Sequence, residues 1–339
     1  MRRIIICNDG TWNSTENEDR GAIKPTNITK ISRAVKPIAE DGTSQITFYD
    51  EGVGTSWGQK FLGGLTGLGL SANVVDSYQF IVNNYKSGDE IYIFGFSRGA
   101  YTSRSLCGLI SLVGLVGKND VFYLPDLYRL YREKASDEDV SAFFAEKGIT
   151  STYPKIKMLG VFDTVGALGV PIGKINDWLN NAELAEFQFH DVSLSPIVEH
   201  AYHALAVDEK RKPFAATLWD SAPDETLEME QRWFIGVHSN IGGGYHPDGL
   251  ANIALKYMTD KAALCGLSWD EVYLGHYLGD YSHELRDSMS LKYKILGENL
   301  RDIKLGGLSR EAIDISVYQR IEKNPDYKPK NVPDPKSAN

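Results

Sequence analysis

An α/β fold, its mostly parallel sheet covered by helices on both faces, is what this sequence predicts. Three observations lead there. Apolar runs of strand length alternate with stretches of helical period. The early runs break off in turns rich in Asn, Asp or Gly. One run leads straight into Gly95-Phe96-Ser97-Arg98-Gly99, a small-residue turn at the start of a helical stretch.

In chain order, Ile4-Ile5-Ile6-Cys7 reads as a buried strand that breaks at Asn8-Asp9-Gly10. Ile28, Ile31 and Val35 then recur at helical spacing, with Thr26 or Asn27 as cap and Pro37 just beyond. Ile46-Thr47-Phe48-Tyr49 is a second strand, closed by Asp50-Glu51-Gly52. A long glycine-rich loop from Gly52 to Gly69 precedes a helical stripe of Val74, Val75, Tyr78, Ile81, Val82 and Tyr85. Ile91-Tyr92-Ile93-Phe94 is the third strand, and Leu106, Leu109, Ile110 and Val113 share one face of the helix after it. Ile156 to Phe162 reads as a strand ending at Asp163, and Trp233 to Val237 as a strand ending at His238. Insertions around 115–150 and 170–230, with helical material near Ile197 to Ala206, are expected to form a cap. Residues 1–323 parse as one catalytic domain with these insertions, and the Pro/Lys-rich 324–339 as an extended, disorder-prone tail.

The 339 residues carry 36 Lys+Arg against 45 Asp+Glu, a formal net charge of −9 that argues against a general nucleic-acid binder. With 42% apolar and 24% charged residues, wholesale disorder is excluded. Cys7, Cys107 and Cys265 offer neither a zinc-ligand spacing nor a disulfide framework. The N-terminus lacks the apolar core of a secretory signal, and no stretch approaches the roughly 18 apolar residues that span a bilayer. A cytoplasmic location is the expectation, with non-classical export left open.

The G-x-S-x-G string is weak by itself and gains meaning from its place between a strand and a helix, where a nucleophilic serine is held on a strained turn. That context makes the fold α/β-hydrolase-like. A serine hydroxyl needs an imidazole to take its proton, and the imidazole needs a carboxylate to fix its tautomer. Asp163 and His238, both at strand ends, complete the order Ser97, Asp163, His238 expected of such folds. His203 and His246 are the rival bases; His203, with His200, is placed on a helix beside Tyr202, Leu205 and Val207. Asp208 is the rival acid, within a run that reads as solvated or salt-bridged. An oxyanion hole would draw on the backbone N–H of Arg98 and on Gly10 or Thr11, with Asp9 bracing that loop.

Five segments occur here in one order: Asp9-Gly10-Thr11-Trp12-Asn13, Asp50-Glu51-Gly52-Val53-Gly54-Thr55, Gly95-Phe96-Ser97-Arg98-Gly99-Ala100, Val161-Phe162-Asp163-Thr164-Val165-Gly166, and Gly236-Val237-His238-Ser239-Asn240-Ile241-Gly242-Gly243-Gly244-Tyr245. As a set, over roughly residues 1–260, they resemble the uncharacterised α/β-hydrolase domain family that includes the type VI secretion lipase effectors. The resemblance implies phospholipase chemistry with Ser97 as nucleophile, Asp163 as orienting acid and His238 as base; Asp50, at the end of the second strand, is a candidate supporting residue beside Asp9. Where that family usually has Asp after His-Ser, this chain has Asn240, which alters a neighbouring contact. The large effectors of the family carry additional membrane-binding regions, which a chain of this length is expected to lack, so a smaller soluble ester stands beside phospholipid as substrate.

The loop at 52–70, with Trp57, Phe61, Leu62, Leu65 and Leu68, is either an apolar flap making peripheral contact with a membrane or acyl chain, or a segment packed on the core. No cofactor is expected: neither a G-x-G-x-x-G fingerprint nor a Walker-type loop follows a strand. Two other functions compete. Strand-end Asp9, Asp50, Asp163 and His238 would suit a metal-dependent hydrolase or phosphoesterase. A catalytically inactive interaction module on the same fold is the other.

Overall fold

The computed structural model describes residues 1–10, 18–52, 68–165, 193–223, 227–295 and 297–333. Thr11, most of the 52–70 loop, much of the 170–230 insertion and the last six residues therefore lie outside the described residues. Seven strands within them form one sheet: β1 Arg2–Asn8, β2 Ser44–Asp50, β3 Glu90–Phe96, β4 Ile156–Phe162, β5 Val198–Ala206, β6 Glu228–Phe234 and β7 Glu311–Ile313. Their order is β7-β6-β5-β4-β3-β1-β2, and every pairing is parallel. This is an α/β-hydrolase-like arrangement. The chain steps outward from β1 to β2 and then returns to β3 on the other side of β1. In open α/β sheets the point where strand order reverses in this way, here the carboxyl ends of β1 and β3, is where a binding crevice is expected.

Because side chains alternate across a strand, β1 feeds two cores. Ile4 and Ile6 pack with Val74, Tyr78 and Ile81 of α2 (Leu68–Asn84) and Leu106, Leu109 and Ile110 of α3 (Arg98–Val113). Ile5 and Cys7 pack on the opposite face with Ile28 and Ile31 of α1 (Asn27–Ala34) and Ala254, Leu255 and Met258 of α7 (Gly249–Leu264). Thr26 caps α1, its side chain accepting from the Thr29 amide. The insertion after β3 holds α4 (Leu124–Arg132) and α5 (Asp137–Lys147), and its acidic run is the reciprocal cap of α5 between Ser136 and Asp139. The short α6 (His238–Gly242) follows β6.

Two expectations fail. Residues near Ile197 to Ala206 form strand β5, not helix, so His200 and His203 lie on a strand. With β4 and β6 on either side, that strand is buried on both faces, and its Ala, His and Tyr carry no clear period of two. Strand β6 ends at Phe234, and His238 opens a helix. The stretch after α8 (Ile315–Lys323) is irregular but docked: Tyr327 is 7% exposed, and its hydroxyl donates to Asp208 at 2.9 Å. Asn331 reaches the carbonyls of Val207 and Arg301.

The elbow between β3 and α3 is crowded. A Cβ on Gly95 would lie 2.5 Å from the Gly99 carbonyl, and one on Gly99 would lie 2.2 Å from the Asn8 carbonyl. Both obstacles are backbone, so the glycines let α3 press against the ends of β1 and β3. In urea unfolding, Gly99→Ala is expected to lose roughly 1–3 kcal/mol by overpacking; a variant as stable as the parent would contradict the close approach. Tyr327→Ala is expected to lose about 3 kcal/mol, as a buried aromatic does, whereas a free tail would show no change.

Candidate active site

Ser97 is the residue before α3, with φ 57° and ψ −120°. A non-glycine residue in that region is strained by about 1–3 kcal/mol, and the strain is held by the Ser97 amide, which donates to the Phe162 carbonyl at 3.0 Å, and by the glycine contacts above. The turn lifts the hydroxyl over the carboxyl edge of the sheet.

Asp163 directly follows β4, again at positive φ (40°), and is 0% exposed. Its Oδ1 accepts from the Ala206 amide at 2.9 Å and from Arg301 Nη1 at 2.5 Å. Its Oδ2 accepts from Arg301 Nη2 at 3.0 Å and from His238 Nδ1 at 2.6 Å. Burial works against the ionised carboxyl, but the Arg301 charge and the His238 hydrogen bond outweigh it and hold the group well below the usual carboxylate range. The ionised carboxylate only accepts, so Nδ1 of His238 carries the proton.

That leaves His238 Nε2 as an acceptor, 2.8 Å from Ser97 Oγ. The ring is 4.7 Å from that of Phe96 and 5.0 Å, edge-on, from that of Phe214, which limits how far it can swing. Its backbone amide donates to buried Glu209 at 3.1 Å; Glu209 also pairs with Arg211 at 2.8 Å, whose guanidinium lies 3.5 Å from the Phe214 ring centre. Asp208 accepts from the Gly236 amide at 2.8 Å and so fixes the approach to His238. The Asp208-Glu209 run is therefore salt-bridged interior bracing, the second of the two readings its sequence allowed, rather than a solvated segment. Asn240 accepts from the Val237 amide at 3.3 Å and stabilises the start of α6.

Three side chains named from sequence thus meet in one hydrogen-bonded line. The rival bases are placed elsewhere. Buried His203 accepts from the Thr164 amide and donates to Gln231, and burial, aided by Arg104, lowers its pKa to about 3. His246 is exposed, its amide on Asp19.

The Arg98 amide is the first of α3 and has no partner within the helix. The Gly10 amide, by contrast, is donated to Asp9 Oδ1 at 2.7 Å, so it is not free to receive an oxyanion in this arrangement. Asp9 is a brace: Thr26, Thr29 and Tyr49 all donate to its Oδ2, and burial raises its pKa despite them. Burial, and then the negative Asp76, Glu51 and Asp9, push Asp50 up to about 7; its Oδ2 is buried and has no partner among the described residues. Among the described residues no three His, Cys, Asp or Glu side chains gather as metal ligands. Asp163 and His238 are committed to each other, and Asp9 to its hydroxyls.

Arg301 was not legible in the sequence, being 138 residues from Asp163 in an irregular polar stretch. A cavity of about 500 Å³ opens beside it, between Trp219, Asp302, Lys304 and Glu311; Ser97 and His238 do not line that cavity.

Residues 2–261 match the family described as the catalytic domain of Tle1-like phospholipase effectors of the type VI secretion system. An uncharacterised protein of Saccharomyces cerevisiae is 28% identical over 246 residues, 66% of this chain and 33% of that protein. The crystal structure of an uncharacterised protein from Pseudomonas aeruginosa aligns with a TM-score of 0.51 and 15% identity, over 82% of this chain and 49% of that one. The Tle1 effector bound to the VgrG spike aligns with a TM-score of 0.38 and 21% identity, over 72% of this chain and 51% of that one. This chain thus spans about a third of the yeast relative and half of the Pseudomonas protein. No helix among the described residues is long and apolar enough to cross a membrane. With the family match running over most of its length, the chain belongs to the Tle1-like phospholipase-effector catalytic domains.

Proposed function

We propose that this protein is a serine hydrolase of carboxylic esters, with phospholipid acyl esters as the favoured class. The observation that carries the reading is the continuous hydrogen-bonded line Ser97–His238–Asp163, at 2.8 and 2.6 Å, at the carboxyl edge of the sheet. In this mechanism His238 Nε2 takes the Ser97 proton as Oγ attacks the ester carbonyl. The Arg98 amide meets the oxyanion, together with a second amide from the Gly10-Thr11 turn: Thr11, or Gly10 once Asp9 lets go of it. His238 then protonates the departing alcohol and activates the water that hydrolyses the acyl-enzyme. Asp163 holds the ring's tautomer and balances its charge.

Next to Ser97 in the chain, the Arg98 guanidinium is largely buried, which lowers its pKa to about 10, and it has no ion-pair partner among the described residues. A phosphate-bearing lipid is a substrate class that supplies one.

Ser97→Ala, His238→Gln and Asp163→Asn are each expected to cut turnover roughly 10⁴-fold or more, while Ser97→Ala keeps the parent's unfolding midpoint. Rates are to be measured on phospholipid vesicles, neutral diacylglycerol and short soluble esters, with and without EDTA. The reading expects EDTA to leave the rate unchanged. Retained turnover in Ser97→Ala would remove the serine mechanism, and EDTA sensitivity alongside it would restore the metal-dependent one.

A further inference from the structure

Arg301 lies between the short helix Leu291–Ile295 and β7, beyond the residues that match the family. Its side chain is 3% exposed. Nη1 donates to Asp163 Oδ1 and to the Ala206 carbonyl at 2.9 Å, and Nη2 to Asp163 Oδ2 and to the Phe214 carbonyl at 2.6 Å. A two-pronged guanidinium–carboxylate pair fixes the plane of the carboxylate as well as balancing its charge. Both matter at Asp163, whose backbone is held at φ 40°, where a non-glycine residue stays only if its surroundings keep it there. Through the Phe214 carbonyl the same group also anchors the ring that packs against His238.

We propose that Arg301 is a positioning residue of the catalytic site: it fixes Asp163 so that Oδ2 meets the His238 ring, and it offsets the carboxylate's charge so that the site works at lower pH than a lone carboxylate would permit. The proposal rests on the serine-hydrolase reading. Its sign follows from simple electrostatics. A lone carboxylate beside an imidazole stabilises the protonated ring, which cannot act as a base, and a cation on the carboxylate's far side opposes that. The other ionisable groups facing this pair are His203, with Arg104 beyond it, on the Asp163 side, and Glu209, itself paired with Arg211, on the His238 side. His203 stays neutral through burial and the nearby Arg104, so Arg301 is the cation set directly against Asp163.

The test uses the full chain, as wild type, Arg301→Gln and Arg301→Lys, with turnover normalised to the sites that react with a fluorophosphonate. Arg301→Gln is expected to lose roughly tenfold to a hundredfold in kcat at little-changed KM, and to move the acid limb of its pH profile up by roughly one unit. Arg301→Lys keeps the charge without the fork, so its acid limb stays near that of the wild type while kcat recovers only in part. Urea unfolding reads the pair without turnover. Because the Asp163 pKa is depressed in the fold, its contribution to stability is full above the ordinary carboxylate pKa and is lost as pH falls through the folded value. The gap in midpoint between wild type and Arg301→Gln is therefore widest at neutral pH and narrows as pH falls below about 4. A wild-type kcat and acid limb in Arg301→Gln, or a midpoint gap equal at acid and neutral pH, would overturn the proposal. If Arg301→Gln does not fold, a reduced kcat at unchanged KM in Arg301→Lys supports the fork, and a wild-type kcat rejects it. A wild type that neither labels nor hydrolyses would instead defeat the serine-hydrolase reading, and the unfolding gap would then decide only whether Arg301 and Asp163 form the pair.

Discussion

A carboxylate sealed inside a protein stays ionised only when enough donors converge on it, and Asp163 has four. The Ala206 amide, the two arms of Arg301 and His238 Nδ1 occupy its oxygens. An unpaired charge at that depth would cost several kcal/mol. Met this way, the carboxylate orients the imidazole and leaves the other ring nitrogen facing Ser97. Remove the convergence and the backbone strain at Asp163 would lose the contacts that hold it.

The sheet supplies the convergence by topology. All its strands run the same way, so Asp9, Ser97 and Asp163 leave their strands at one edge, and His238 enters from the turn after β6 at that same edge. The reversal of strand order between β1 and β3 sets the elbow where a binding crevice is expected. Glycines at 95 and 99 let the backbones meet there. Phe96 and Phe214 then line the imidazole with apolar surface, which strengthens the hydrogen bonds it makes.

Much of this could be read in the sequence because it is local. Ile4-Ile5-Ile6-Cys7 and Ile91-Tyr92-Ile93-Phe94 are continuous apolar runs, as strands buried on both faces must be, and the elbow and the strand-end Asp163 sit directly after such runs. His238 was found through its position near a strand end, although the strand stops four residues earlier. What escaped is what depends on distance through space. Strand β5 mixes Ala, His and Tyr and shows no clean period. The carboxylates of Asp208 and Glu209 resemble surface charge until Gly236, His238, Arg211 and Tyr327 are seen to donate to them. Nothing in the neighbourhood of Arg301 announces a partner so far away in the chain.

The most direct test of the account is intact-mass spectrometry of the protein after brief exposure to a fluorophosphonate, followed by peptide mapping. One adduct per chain, on Ser97, absent after His238→Gln and absent from unfolded protein, is the result expected of a serine activated by its imidazole. An unmodified Ser97 in folded protein, or labelling that is indifferent to the loss of His238, would contradict it.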